Sequence, residues 1–321
     1  MKKGYVYIVL DIIIFSTMEI AGKIASTGLN PFQLNFLRFL IGGLILLPPT
    51  IRIFKEKNIH LGKKEIKYFL LAGFFCVVVS MSFFQLAIVY TKASTVAVLF
   101  STNPVFTIPF AYFILKEDLK KSTILSITIS LIGIGCILNP FGNKISGKDL
   151  IGIVFAIFAA LSFSLYSVIV KLESKNYGSI AINCISFLFG DAIMLLLMLI
   201  SKLPFIAVNS SKGGVVGMIS NIPIVSGISS NNIIVLLYLG IIVTGIGYLL
   251  YFLAMDQTSV IISSLIFFVK PAIAPILALI ILKEIIPMNT IIGIIFILIG
   301  SYVLLKGKNQ EDKKTNFKLV S

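Results

Sequence analysis

Apolar runs of about 20 residues, the length that a membrane-crossing helix needs, recur from one end of this sequence to the other. The runs are too long for the strands of an outer-membrane barrel, and they lack the alternation of such strands. Charged residues make up 12% of the 321 residues, whereas an average soluble domain has roughly 25%. The sequence therefore predicts an all-α membrane protein. It excludes a soluble enzyme, a secreted disulfide scaffold and a nucleic-acid-binding domain.

We predict ten transmembrane helices, with one long connection and a polar tail outside them. Their predicted bounds are about 5–26, 32–53, 66–90, 93–115, 123–139, 149–171, 179–201, 232–254, 258–282 and 288–305. The connection 202–231 is rich in Gly, Ser and Asn, and we expect its apolar residues to rest on the membrane surface. These residues are Val215, Val216, Ile222, Ile224 and Val225. The tail 306–321 is polar, and we expect it to be disordered in the cytoplasm.

The basic residues indicate how the chain is oriented. The formal net charge is +14. Most of the 27 lysines and arginines lie in segments on the same side as the N-terminus, above all the loop 52–67 and the tail. Because cytoplasmic loops carry such an excess, both termini are predicted to be cytoplasmic, in the cell membrane. The basic excess is then a contact with anionic lipid and not a nucleic-acid site.

The metal-ligating residue types are few and dispersed. Cys76, Cys136 and Cys184 each lie within an apolar run, and the single histidine, His60, lies in a basic loop. Buried thiols of this kind act as small apolar residues. We therefore expect no metal site and no cofactor.

The chain repeats itself once. A shift of 167 residues aligns identical residues in the later part of each half, and a shift of 148 residues does so in the earlier part. The most specific matches are Pro104 with Pro271, Lys116-Glu117 with Lys283-Glu284, Gly133 with Gly300 and Lys23 with Lys171. Five helices per half is an odd number, so the second half must insert in the opposite orientation. We predict two inverted repeats, 1–147 and 148–305, with 202–231 as an external loop and the substrate between the halves.

These features resemble the drug/metabolite transporter superfamily, in its EamA-type branch. The features are the two five-helix halves, a proline within the fourth helix of each half, and a terminal Lys-Glu followed by a helix that contains glycine. The resemblance covers about residues 4–305 and implies a ten-helix carrier of small polar or amphipathic metabolites, often an exporter of amino acids and related compounds. Many relatives have a Trp-Gly pair in the first helix, where this chain has Ser16-Thr17-Met18-Glu19 and no tryptophan.

Ionisable residues within the predicted helices are the first candidates for function. A charge in the hydrocarbon region costs at least ~2.5–3.5 kcal/mol and is normally paired or faces a polar cavity. Glu19 and Arg38 lie at similar depth, roughly 10 Å below the outer face, and we predict that they interact. The pair has three alternative roles: a structural link between helices 1 and 2, an outer gate, or a pair that opens to receive a zwitterion. If Glu19 is unpaired, it would instead carry a proton. Asp11 either lines the same cavity or reaches the inner headgroups.

The two repeat-equivalent prolines, Pro104 and Pro271, mark the middle of the membrane. Each follows a polar residue, Asn103 in one half and Lys270 in the other. A proline frees a backbone carbonyl within the helix, so we predict a helix break at Pro104 and at Pro271. Such breaks favour ligand binding. Lys270 is the strongest substrate candidate, and the alternative is a structural partnership with Asp191.

Other polar residues on these helices are weaker candidates, because each is more often a helix–helix hydrogen bond. Those selected are Gln85, Tyr90, Tyr166 and Tyr248. The Lys-Glu pairs, together with Lys23 and Lys171, are interpreted as structural helix ends or latches of a gate.

The leading hypothesis is an alternating-access carrier, an exporter of a small polar or zwitterionic metabolite such as an amino acid, with the proton as candidate coupling ion. The alternative is an exporter of multiple drugs or lipophilic cations. A membrane-embedded enzyme is not expected, since the sequence lacks a nucleophile–base pair or a HExxH motif. The expected partners are the substrate and the lipid bilayer, and a homodimer stays open.

Overall fold

The computed structural model describes residues 2–59, 61–116, 121–138, 146–257, 265–300, 302–303 and 306. Within these residues the chain folds into ten helical rods and contains no strand. The rods follow the predicted spans, so the all-α membrane fold is confirmed. The predicted tail 306–321 lies outside the described residues, except for its first residue.

The first half contains five helices. They are α1 (Lys2–Ser16 and Met18–Ala25), α2 (Pro31–Lys57), α3 (Lys63–Tyr90), α4 (Ala93–Phe100 and Asn103–Leu115) and α5 (Lys121–Leu138). The interruption of α1 lies at Thr17, whose hydroxyl donates to the carbonyl of Ile14 at 2.7 Å. This break was not predicted.

The second half repeats this order. Its helices are α6 (Gly147–Tyr177), α7 (Ser179–Ile200), α8 (Ser230–Leu237, Tyr238–Gly247 and Tyr248–Gln257), α9 (Leu265–Ile281) and α10 (Met288–Gly300). Of the described helices, α2, α3, α4, α6, α7 and α8 are long and apolar enough to cross a membrane. Three shorter apolar helices fall within α5, α9 and α10.

Side-chain caps explain where two of the long helices begin. Asn30 accepts a hydrogen bond from the backbone N–H of Phe32 at 2.9 Å and caps α2. Ser146 accepts one from the N–H of Asp149 at 3.0 Å and caps α6. Such caps satisfy amides that have no partner within the helix.

Irregular backbone recurs at equivalent positions of the two halves. α3 contains the π-helical stretch Phe74–Ser80, and α8 contains the stretch Tyr238–Gly247. The 167-residue shift places the first stretch within the second. Lys116 and Lys283, related by the same shift, follow α4 and α9 with left-handed φ angles of 56° and 55°. The halves therefore share local backbone detail as well as helix order.

Helices of one half pack extensively against helices of the other. α1 contacts α8 and α9, and α6 contacts α3 and α4 in the equivalent way. α2 packs against α7 at the centre, where the rings of the repeat-equivalent Phe39 and Phe187 have their centroids 4.7 Å apart. Because the two halves pack together in this way, side chains from α1, α2, α7 and α9 lie in one interior.

The connection 202–231 folds back onto the start of α2. Ile222 is buried against Phe36, Met194 and Met198, so the expectation that it rests on the membrane surface is wrong. Val225 is 63% exposed. Gln33 of α2 donates hydrogen bonds to the carbonyls of Ile224 and Ser226 in the connection. The composition of the segment did not indicate these contacts.

Candidate functional site

Among the described residues, five acidic and basic side chains are buried in the interior, and each exposes at most 2% of its surface. They are Asp11 and Glu19 on α1, Arg38 on α2, Asp191 on α7 and Lys270 on α9. No group of three His, Cys, Asp or Glu side chains among the described residues is placed to hold a metal ion. Because burying a charge is costly, the contacts of these five side chains decide what the interior can bind.

Lys270 forms a direct ion pair with Glu19. Its Nζ atom lies 2.6 Å from Oε1 of Glu19, and both side chains are shielded from solvent. The expected Glu19–Arg38 pair is not formed, and neither is the alternative partnership of Lys270 with Asp191. Glu19 and Arg38 still interact electrostatically, as predicted. A direct pair was wrong because it required α1 and α2 to be neighbours, whereas α1 packs against α8 and α9. The observed pair joins the first half to the second.

Among the described residues, Arg38 makes only weak direct contacts. Its Nη2 atom donates to the sulfur of Met81 at 3.2 Å. Its guanidinium carbon lies 4.9 Å from the ring centre of Phe39 and 5.7 Å from that of Phe84. Nε and Nη1 have no hydrogen-bond partner among the described residues. Two aromatic faces stabilise the cation, while two of its nitrogens stay without an acceptor.

Both interior aspartates lack a hydrogen-bond partner among the described residues. The carboxylate oxygens of Asp11 and of Asp191 accept no hydrogen bond from any described residue. Asp11 interacts electrostatically with Lys270, and Asp191 with Arg38, in each case without direct contact. Because Asp11 has no exposed surface, the interpretation that it reaches the headgroups is wrong.

An aromatic cluster lies beside these charges. The ring of Tyr248 is 5.2 Å from that of Phe15 and 5.1 Å from that of Phe187, centre to centre. Phe187 in turn packs against Phe39. Only Tyr248 was selected from the sequence. The repeat alignment pairs Phe39 with Phe187 and was the signal that could have identified the other rings.

The weaker polar candidates mostly bind other helices. Gln85 donates from Nε2 to the hydroxyl of Ser26 at 2.7 Å, which joins α3 to α1. The hydroxyl of Tyr166 donates to Oδ1 of Asn183, which joins α6 to α7. Tyr90 packs edge-on against an aromatic ring of α6. These contacts favour structural roles for Gln85 and Tyr166.

The two prolines differ in their surroundings. α4 is interrupted between Phe100 and Asn103, directly before Pro104, as predicted. The backbone carbonyl of Asn103 accepts a hydrogen bond from Ser164 at 2.6 Å, and its side-chain nitrogen has no partner among the described residues. α9 continues as a helix through Pro271, so a break at that proline is not observed.

A charged side chain of the second half caps a helix of the first half. The carboxylate of Glu284 accepts hydrogen bonds from the N–H groups of Ala93 and Ser94 at 2.8 and 3.0 Å, and from the Ser94 hydroxyl at 2.7 Å. It therefore caps α4, which belongs to the other half. A negative group at a helix N-terminus is stabilising. Glu117, its repeat equivalent, lies outside the described residues.

The end of α3 is capped by a cation at the same end of the molecule. The Nζ atom of Lys23 donates to the carbonyls of Ile88 and Thr91 at 2.6 and 2.7 Å. Lys92 donates to the carbonyl of Ile285 at 2.7 Å. These contacts agree with the interpretation of Lys23 and of Glu284, from the second Lys-Glu pair, as structural residues at helix ends.

Replacing Glu284 with alanine should destabilise the protein by about 1–2 kcal/mol, the typical cost of losing an N-terminal cap. Thermal unfolding in detergent would measure the change. Glu56→Ala is the matched control, because Glu56 bonds only to Arg52 on an exposed surface and should change stability by less than about 0.5 kcal/mol. Equal effects of the two substitutions would contradict the capping role.

Comparison with known proteins gives three findings. The profile of the EamA-like transporter family matches twice, at residues 2–139 and 150–306. A protein of Clostridium kluyveri named an uncharacterized transporter is 48% identical over 308 residues, which is 94% of this chain and 93% of that protein. A solved structure superposes with a TM-score of 0.63 at 16% identity over 94% of each chain.

A more distant relative carries a more specific name. The S-adenosylmethionine uptake transporter of Rickettsia prowazekii is 25% identical over 170 residues. These residues are 52% of this chain and 54% of that protein.

Proposed function

Because the chain belongs to the EamA-like transporter family, in the drug/metabolite transporter superfamily, and is a membrane transporter of that type, we propose that it carries a small zwitterionic metabolite. The cargo class is that of an amino acid or a compound with an amino-acid head group. The observation that carries the proposal is the buried cluster of three carboxylates and two cations. Buried charges without direct partners are costly, and a cargo that carries both a positive and a negative group would offset that cost.

Alternating access gives these charges two roles. Some must hold the two halves together, and others must bind cargo that enters from either side. The Glu19–Lys270 pair joins α1 to α9 and suits the first role. Arg38 and Asp191 lie on the central helices α2 and α7 and suit the second.

The balance of charge supports a proposal of proton coupling. With all five groups ionised the cluster would carry one surplus negative charge, and a buried surplus is unfavourable. One proton bound to a carboxylate would neutralise it. We propose export driven by exchange of cargo for a proton, as the resemblance to amino-acid exporters suggests.

The alternative function is export of lipophilic cations. The surplus carboxylate and the aromatic cluster around Tyr248 favour it, since aromatic faces attract cations. The relative named for S-adenosylmethionine uptake fits both possibilities, because that compound combines an amino-acid head group with a sulfonium cation.

Transport by the purified protein in liposomes distinguishes these functions. The probes are the twenty L-amino acids, S-adenosylmethionine and tetraphenylphosphonium, each tested with and without an imposed pH gradient. We expect uptake of a zwitterion that exceeds that of protein-free liposomes and increases when the lumen is acidic. Transport of tetraphenylphosphonium without any zwitterion would favour the alternative.

We also propose that both termini are cytoplasmic, in the cell membrane. Reporter fusions after Lys121 and Lys314 should read as cytoplasmic, because the basic segments lie on that side. Fusions after Lys148 and Lys212 should read as external. An external signal at Lys314 would contradict the count of ten spans.

A further inference from the structure

Arg38 and Asp191 are opposite charges that do not neutralise each other directly. Arg38 is 1% exposed and Asp191 2% exposed, so neither is solvated by bulk water. They interact electrostatically, but no hydrogen bond joins them. An ion pair made within the protein would have brought them into contact, as it does for Glu19 and Lys270.

The surroundings of Arg38 do not supply a carboxylate in direct contact, because the nearby Glu19, which acts on Arg38 electrostatically, is in direct contact with Lys270 instead. A thioether sulfur is a weak acceptor, and the two aromatic faces leave Nε and Nη1 without a partner among the described residues. Arginine is the side chain best suited to recognise a carboxylate, because its planar guanidinium presents several donors. The donors left over therefore match an acceptor that the described residues do not supply.

Asp191 lacks hydrogen-bond donors, just as Nε and Nη1 of Arg38 lack acceptors, among the described residues. Its two carboxylate oxygens have no donor among the described residues. Five residues earlier on α7, the Ser186 hydroxyl is also buried without a hydrogen-bond partner among the described residues. A carboxylate in such a site favours a ligand with several N–H donors, which an ammonium group provides.

The location of the two groups fits a cargo site. Arg38 and Asp191 lie on α2 and α7, which are equivalent helices of the two repeats and pack against each other. The neighbouring residues Phe39 and Phe187 are repeat equivalents in contact with each other. A site between these helices is shared by both halves, so movement of one half relative to the other would expose it to either side.

We propose that the cargo zwitterion binds between Arg38 and Asp191, with its carboxylate on Arg38 and its ammonium on Asp191. This inference rests on the proposed function. The aromatic rings of Phe39, Phe187 and Tyr248 form the wall against the cargo side chain. Lys270, the first candidate from the sequence, is a structural residue because Glu19 already satisfies its charge.

The test measures binding of three matched probes to the purified full-length protein by calorimetry. L-methionine has both charged groups, 3-(methylthio)propylamine lacks the carboxylate, and 4-(methylthio)butanoate lacks the ammonium. If another L-amino acid is transported better, it and its corresponding amine and acid replace these three. Arg38→Gln should weaken binding of the zwitterion and the acid at least tenfold and leave binding of the amine unchanged. Asp191→Asn should weaken binding of the zwitterion and the amine and leave binding of the acid unchanged.

The double variant Glu19→Gln/Lys270→Met serves as the control, because it removes both members of the other ion pair. It should bind the zwitterion within about threefold of the wild type. Equal weakening of all three probes by Arg38→Gln and Asp191→Asn would show a merely structural role and overturn the inference. So would loss of zwitterion binding in the control alone. If the wild type binds no zwitterion, the proposed function itself fails.

Discussion

Replacing Lys270 with methionine should destabilise the protein by about 3–5 kcal/mol, the cost of leaving one partner of a buried ion pair alone. The carboxylate of Glu19, 2.6 Å from Lys270 Nζ in the native structure, would lose its direct partner. Asp11 would lose the cation with which it interacts. Chemical unfolding in detergent would measure the loss.

The double variant Glu19→Gln/Lys270→Met should recover most of that stability, because it removes both charges and leaves a neutral amide. Such non-additivity is the signature of a direct pair. Lys202→Met is the matched control, since Lys202 is exposed beyond the end of α7 and should change stability by less than about 0.5 kcal/mol. If Lys270→Met were as stable as the wild type and only lost transport, Lys270 would face the cargo instead.

The spans of the helices could be predicted from the sequence, whereas the partners of the buried charges could not. Helix spans follow from the length of apolar runs, which the bilayer thickness imposes. Partners follow from which helices are neighbours, and neighbours in sequence are not always neighbours in space. Glu19 was assigned to Arg38 on depth alone, and depth was not sufficient, because α1 packs on α8 and α9.

Local irregularities were predicted only where proline marks them. The break in α4 before Pro104 was expected, since a proline removes a backbone donor. The break of α1 at Thr17 and the π-helical stretch of α3 have no comparable signal in the sequence. The repeat alignment pairs Phe39 with Phe187, and these two rings are in contact. Internal symmetry is therefore a signal in the sequence for this part of the site.

α3 and α7 approach each other closely at two glycines, Gly73 and Gly190. A Cβ atom on Gly190 would lie 2.7 Å from the backbone oxygen of Gly73 and 2.7 Å from Cβ of Val77. A Cβ atom on Gly73 would lie 2.6 Å from the backbone nitrogen of Gly190. Backbone atoms cannot move aside as a flexible side chain can. Small residues allow this kind of contact between membrane helices, where packing drives association.

Replacing Gly190 with alanine should therefore destabilise the protein by about 3 kcal/mol, the upper part of the range for an overpacked core, because α3 and α7 must separate. Gly135→Ala on α5 is the matched control, since a Cβ atom there would meet nothing within 4 Å. It should stabilise the protein slightly, because alanine forms helix better than glycine by up to about 1 kcal/mol. Thermal unfolding of both variants in detergent gives the comparison. A Gly190→Ala protein as stable as Gly135→Ala would show that α3 and α7 do not meet at these glycines.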